Sequence, residues 1–93
     1  MAGFTTISST QLSANGDVFA GRARVKSIWI AHSATAGTVV LRDGGSTGTV
    51  RCTLNTAAVL GEYQSDIPEP GLRCDNPHIT IGGGVSFVTV FYD

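Results

Sequence analysis

The chain has 93 residues, six Lys and Arg against seven Asp and Glu, a net charge of -1 and only 14% charged side chains. That length holds one small domain. Gly, Ser and Thr supply 12, 8 and 11 residues, and Val and Ile add 9 and 6, a profile that excludes a coiled coil or helical bundle. At 42% hydrophobic the composition is that of a folded chain, no apolar run approaches the ~18 residues of a spanning helix, and Met1-Ala2-Gly3-Phe4 has neither the basic nor the apolar part of a secretion signal.

Along the chain, apolar residues recur with a period near two in short segments bounded by turn residues, the pattern of an all-β protein. Residues 4–10 read as a polar, β-branched first strand or arm, ending before the turn at Asn15-Gly16-Asp17. Residues 22–33 form the longest predicted strand. Residues 38–42 and 49–55 flank Asp43-Gly44-Gly45-Ser46-Thr47-Gly48, a hairpin loop. A short strand is expected over 59–64. Pro68 and Pro70 then remove ladder donors and force an irregular connection through 66–71. Residues 72–74 and 78–81 are short strands around Asn76-Pro77, and Gly82-Gly83-Gly84 turns into a last strand over 85–92. The expected architecture is a single small antiparallel β-sandwich, jelly-roll-like, with residues 1–16 as an extended N-terminal arm or first strand and 17–93 as the sandwich.

Two strands break the simple alternation of a half-buried sheet. In 22–33 the odd positions Ala23, Val25, Ser27, Trp29 and Ala31 are suited to a core, which makes Trp29 a core residue. The even positions start as Arg22, Arg24 and Lys26 but continue as Ile28, Ile30 and His32. A regular strand keeps one parity on one face, so either a bulge swaps the faces or the second half is covered on both sides. In 85–92, Val85, Phe87 and Phe91 alternate with Val88, Val90 and Tyr92, again apolar on both faces. So short a chain buries only about 60–65% of its unfolded surface, and small domains complete their burial with disulfides, metals or partners. The second apolar face is covered either by the N-terminal arm lying over a central strand or by another subunit. For so small a core oligomerisation is the expected remedy, with Ile28, Ile30, Val88, Val90 and Tyr92 as the candidate subunit interface.

The residues that could carry chemistry are scattered. His32, His78, Cys52 and Cys74 each stand alone, without the close pairs of a zinc module. Both cysteines share parity with apolar neighbours, as small core thiols do. The Gly44–Gly48 loop has no lysine and leads into a strand, so it is a hairpin and not a phosphate cradle. No nucleophile motif surrounds any serine. The expectation is a protein that is not an enzyme and takes no cofactor or metal. Basic residues gather early (Arg22, Arg24, Lys26, Arg42, Arg51) and acidic ones late (Glu62, Asp66, Glu69, Asp75), a sorting able to steer contacts between subunits. Three basic residues on one strand without interleaved aromatics do not make a nucleic-acid surface. Trp29 with Tyr63 is the one possible sugar-stacking pair.

Three stretches carry a resemblance. They are Ala34-Thr35-Ala36-Gly37-Thr38-Val39-Val40-Leu41-Arg42-Asp43-Gly44-Gly45, Ile67-Pro68-Glu69-Pro70-Gly71-Leu72 and Val85-Ser86-Phe87-Val88-Thr89-Val90-Phe91-Tyr92. In this order they resemble small virion structural proteins of tailed phages, cyanophages in particular, and the capsid decoration or cement class fits best. The resemblance implies a β-sandwich made in the host cytoplasm and placed on the capsid surface. Its partners would be itself, as a homotrimer or other homo-oligomer, and the major capsid protein, with no nucleic acid and no membrane. Phe4 and Ile7 of the arm and the basic row Arg22, Arg24 and Lys26 are the candidate capsid contacts. A neck, tail or fibre module of the same particle is the alternative, and a host-glycan-binding module the next.

Overall fold

The computed structural model describes residues 7–68 and 70–93. Seven strands follow in order: β1 (Ser8–Leu12), β2 (Gly16–Asp17), β3 (Arg22–Asp43), β4 (Thr49–Thr56), β5 (Gly61–Asp66), β6 (Leu72–Asp75) and β7 (His78–Tyr92). Every pairing between them is antiparallel, and the expected all-β sandwich is the fold observed.

The scaffold is one long ribbon, β3 against β7, folded over on itself. A straight strand of 22 residues would extend about 70 Å at ~3.3 Å per residue, yet the longest dimension of the molecule is 44 Å. The first half of β3 pairs with the end of β7 on one side and with β6 and then β5 on the other. β1 adds an outer edge to that half-sheet through Ser8↔Tyr92 to Leu12↔Val88. The second half of β3, from Gly37, pairs with the start of β7 and with β4, and β2 adds a two-residue edge to β7. The two ends of β3 meet again: Arg22 lies opposite Asp75, whose backbone N–H donates to Asp43 Oδ1 at 2.8 Å.

Bends are made where the ladder loses register. Between His32↔Val85 and Gly37↔Gly83, residues 33–36 of β3 face Gly84 alone. The chains come so close there that a Cβ on Gly84 would strike the Thr35 carbonyl, and Gly83 adopts φ +68°, a region glycine enters without steric cost. The Gly82-Gly83-Gly84 turn expected from the sequence is therefore the pivot of a continuous strand and not a break between two.

A second irregularity settles the parity conflict. Val25 pairs with Tyr92 and Ser27 with Phe91, so Lys26 is an extra residue, a bulge. Before it Ala23 and Val25 point inward; after it Ile28 and Ile30 do. Of the two explanations open at the sequence level, face-swapping by a bulge is the one adopted. Val25, Ile28, Ile30, Val88 and Val90 of one half-sheet then meet Val39, Leu41, Leu54 and Ile79 of the other in a single core that also takes in Val18 and Cys74. Each fully buried aliphatic side chain contributes about 1.5–3 kcal/mol of transfer free energy. Among the described residues every buried side-chain nitrogen or oxygen has a hydrogen-bond partner.

Candidate interaction surface

The bulge that sends Ile28 and Ile30 inward sends Ser27, Trp29 and Ala31 outward. Residues directly opposite on antiparallel strands share a face, so the register assembles the rest of this surface. Thr89 and Gln64 flank Trp29, Phe91 and Asp66 flank Ser27, and Phe87 and Glu62 flank Ala31. Trp29 is 43% exposed and Phe87 48%. Trp29 meets Phe91 edge-on, ring centroids 5.1 Å apart at 64°, a favoured aromatic arrangement.

Polar groups around the indole are already paired with one another. Trp29 Nε1 donates to Ser27 Oγ at 2.9 Å, and Ser27 Oγ donates to Asp66 Oδ1 at 3.1 Å. The ring is held in place and presents carbon outward, with its one donor satisfied. Further along the sheet Gln11 Nε2 donates to Thr89 Oγ1 at 3.5 Å, extending the face onto β1. Covering such a surface removes apolar area from water without stranding a buried N–H.

The expected interface residues lie elsewhere. Ile28, Ile30, Val88 and Val90 are at most 1% exposed within the single chain, so they belong to its own core and have no surface to offer a partner. The physical reason is the Lys26 bulge together with the fold-over of β3 and β7, which lets a short chain cover both half-sheets from inside. Tyr92 is half-buried and packs against Phe19, centroids 5.5 Å apart. The expectation of a core Trp29 is corrected for the same reason: its parity neighbours Val25 and Ala31 lie on either side of the bulge.

The candidate capsid contacts divide. Phe4 lies outside the described residues, while Ile7 is 49% exposed just before β1. Ser8–Leu12 is a hydrogen-bonded edge strand. Arg22 forms an exposed ion pair with Asp75 at 3.0 Å, Arg24 approaches Asp93 at 3.9 Å, and Lys26 Nζ donates to the Pro70 carbonyl at 2.9 Å. The basic row is thus on the surface, partly balanced by its own chain. Across β3 from Arg24 stands the exposed Arg73.

Trp29 and Tyr63 do not make a joint stacking platform. Tyr63 pairs with Ile30, whose side chain points inward, and Trp29 points the other way. The scattered chemistry stays scattered: among the described residues no group of three or more His, Cys, Asp or Glu is placed to hold a metal. His78 Nδ1 and Asp17 Oδ1 lie 2.9 Å apart beside an open cavity of about 390 Å³ lined by Gly44, Ser46, Thr47 and Asn76. The pair fastens β2 to β7. Cys52 is half-buried and Cys74 fully buried, both unpaired. Burial first, then the nearby Asp43 carboxylate, pushes the Cys74 thiol above its ordinary value, leaving it inert as a nucleophile.

The sequence held the signal for this surface without resolving it. Trp, Phe and Phe at outward positions become visible once Lys26 is counted as an extra residue. In the Trp29–Ser27–Asp66 chain the first link is local, but Ser27 and Asp66 are 39 residues apart, a pairing with no local signature.

No protein-family model matches the chain, and no curated protein matches it. Among solved structures, it is similar to a protein of Bacillus endospore appendages, described as forming a novel family of disulfide-linked pili. The two are 18% identical with a TM-score of 0.51, over 99% of this chain and 92% of that one. At that identity the likeness is one of fold, and it spans nearly the whole of both chains.

Proposed function

We propose that the chain is a virion structural subunit of a tailed phage, an oligomeric capsid decoration protein that stabilises the shell. The observation that carries an assembly role is the exposed aromatic face around Trp29, Phe87 and Phe91, lying outside a core that is complete without it. A sandwich with a preorganised, partly aromatic outer face is suited to being covered by other subunits, and repeated weak contacts become strong through effective concentration. The assignment to a phage particle is supported by the resemblance of the three sequence stretches to phage virion proteins. The major capsid protein is the partner it implies.

A second reading has its own support. The Bacillus protein of similar fold is described as forming pili, and a filament subunit is closer to a tail or fibre module than to a lattice-bound cement. Electron microscopy of intact particles separates the two. Density repeated over the icosahedral lattice is the result expected for a decoration protein; density confined to one vertex or to the tail would replace it with the second reading. Absence from purified particles would remove both.

A further inference from the structure

We propose that the outer face of β3, β5 and β7 is the contact through which two copies of this chain pair about a two-fold axis. This contact is a property of the isolated chain and does not depend on the particle.

Charge along the face is what selects a second copy. β6 and β5 follow one another along the same side of β3, with Arg73 opposite Arg24 and Glu62 opposite Ala31. Seven residues separate those positions, about 23 Å at ~3.3 Å per residue. Arg24, Lys26 and Arg73 make one end basic and Glu62 makes the other acidic, while Asp66, opposite Ser27, lies near the middle with its Oδ1 taken by Ser27 Oγ. A two-fold axis lying in the contact plane and running across the strands keeps the β5–β6 line of one copy over that of the other and reverses its direction. Glu62 of each copy then faces Arg73 of the other, twice, with Ser27, Trp29 and Phe91 near the centre. A surface that complements itself after a half-turn is the requirement for a closed isologous dimer.

The same residues disfavour other occupants. Glu62 and Asp66 interrupt the basic residues, so the face offers no uniformly cationic track to phosphate backbones or anionic lipid surfaces. A sugar-stacking platform would use Tyr63 beside Trp29, and Tyr63 faces the other way. An apolar, donor-satisfied ring suits another such ring. Three strands at ~4.8 Å spacing give a footprint of roughly 15 by 20 Å in projection, the size of a weak contact, below the range of stable specific interfaces. An isologous contact yields dimers, not the homotrimers that the resemblance implies.

The test is sedimentation equilibrium on the full chain from about 10 to about 500 μM, the range suited to an interface this small. The wild type is expected to reach twice its 9.6 kDa mass, and Phe87→Lys to remain monomeric with unchanged far-UV circular dichroism. Glu62→Lys or Arg73→Glu alone should weaken dimerisation about tenfold, since each contact occurs twice. Combining them in one chain should bring affinity back to within about threefold of wild type, a rescue that loss of folding cannot mimic. A wild type that stays monomeric, a trimeric mass, a Phe87→Lys dimer, or a double variant no better than the singles would overturn the proposal.

Discussion

Asp43 Oδ1 accepts a hydrogen bond from the backbone N–H of Asp75 at 2.8 Å, so the last residue of β3 closes onto the strand paired with its first. The other oxygen of the same carboxylate takes Arg51 Nη1 at 3.1 Å. One partly exposed side chain therefore ties the two half-sheets together at their open end, opposite the glycine pivot. Asp43→Ala leaves the Asp75 amide without that partner, and chemical denaturation should show a loss of about 1–3 kcal/mol. By contrast, Arg22→Ala breaks only an exposed pair and should change stability by less than about 1 kcal/mol.

At the pivot, neighbouring glycines should respond differently to the same substitution. A Cβ on Gly82 would meet only the Thr38 carbonyl at 3.9 Å, an ordinary contact. On Gly83 it would strike the Ala36 carbonyl and lie 2.8 Å from Gly37 Cα, at φ +68°. Gly82→Ala is expected to leave the melting temperature nearly unchanged or slightly raised. Gly83→Ala should destabilise by more than about 2 kcal/mol. Equal effects would mean that β3 and β7 are not pressed together there.

Core and outer face should separate cleanly. Ile28→Ala empties a fully buried site and should lose about 2–5 kcal/mol. Phe87→Ser, on a half-exposed ring, should lose no more than about 1 kcal/mol in the monomer while abolishing self-association. Denaturation curves beside sedimentation data would read both quantities from each variant.

The buried thiol gives a pH dependence of known sign. Cys74 holds its proton more tightly in the folded chain than at its ordinary value of 9.0. Its stabilising contribution is therefore complete below that value and is lost as pH rises through the raised folded-state value. Cys74→Ala removes this slope, so the stability gap between wild type and variant should narrow as pH rises above 9.0. A gap that widens would contradict a buried, protonated thiol.

Much of the architecture is legible in the sequence because it is written locally. Period-two alternation marks the strands, and Asp43-Gly44-Gly45 marks the hairpin that joins β3 to β4. Pro68 and Pro70 mark the break between β5 and β6. What is not local is which side each strand turns inward. The switch from Val25 to Ile28 is visible as a change of parity, but a bulge and a doubly covered strand leave the same trace. Only the pairing of Val25 with Tyr92 and Ser27 with Phe91 distinguishes them. Hence Ile28, Ile30, Val88 and Val90 stood as interface candidates although they are core, and Trp29 as core although it is surface. Likewise residues 34–37 fall between two expected strands and Gly82 to Gly84 read as a turn, because the close approach that makes them one pivot joins residues more than 40 apart.

Trp29 is the chain's single tryptophan and stands at the centre of the outer face. Its fluorescence therefore reports directly on whether that face is covered. As concentration rises through the association range, emission should move to shorter wavelength and acrylamide quenching should fall, and Phe87→Lys should show neither change. Emission and quenching that stay constant while the wild type associates would place the contact elsewhere and contradict an outer face built to be buried.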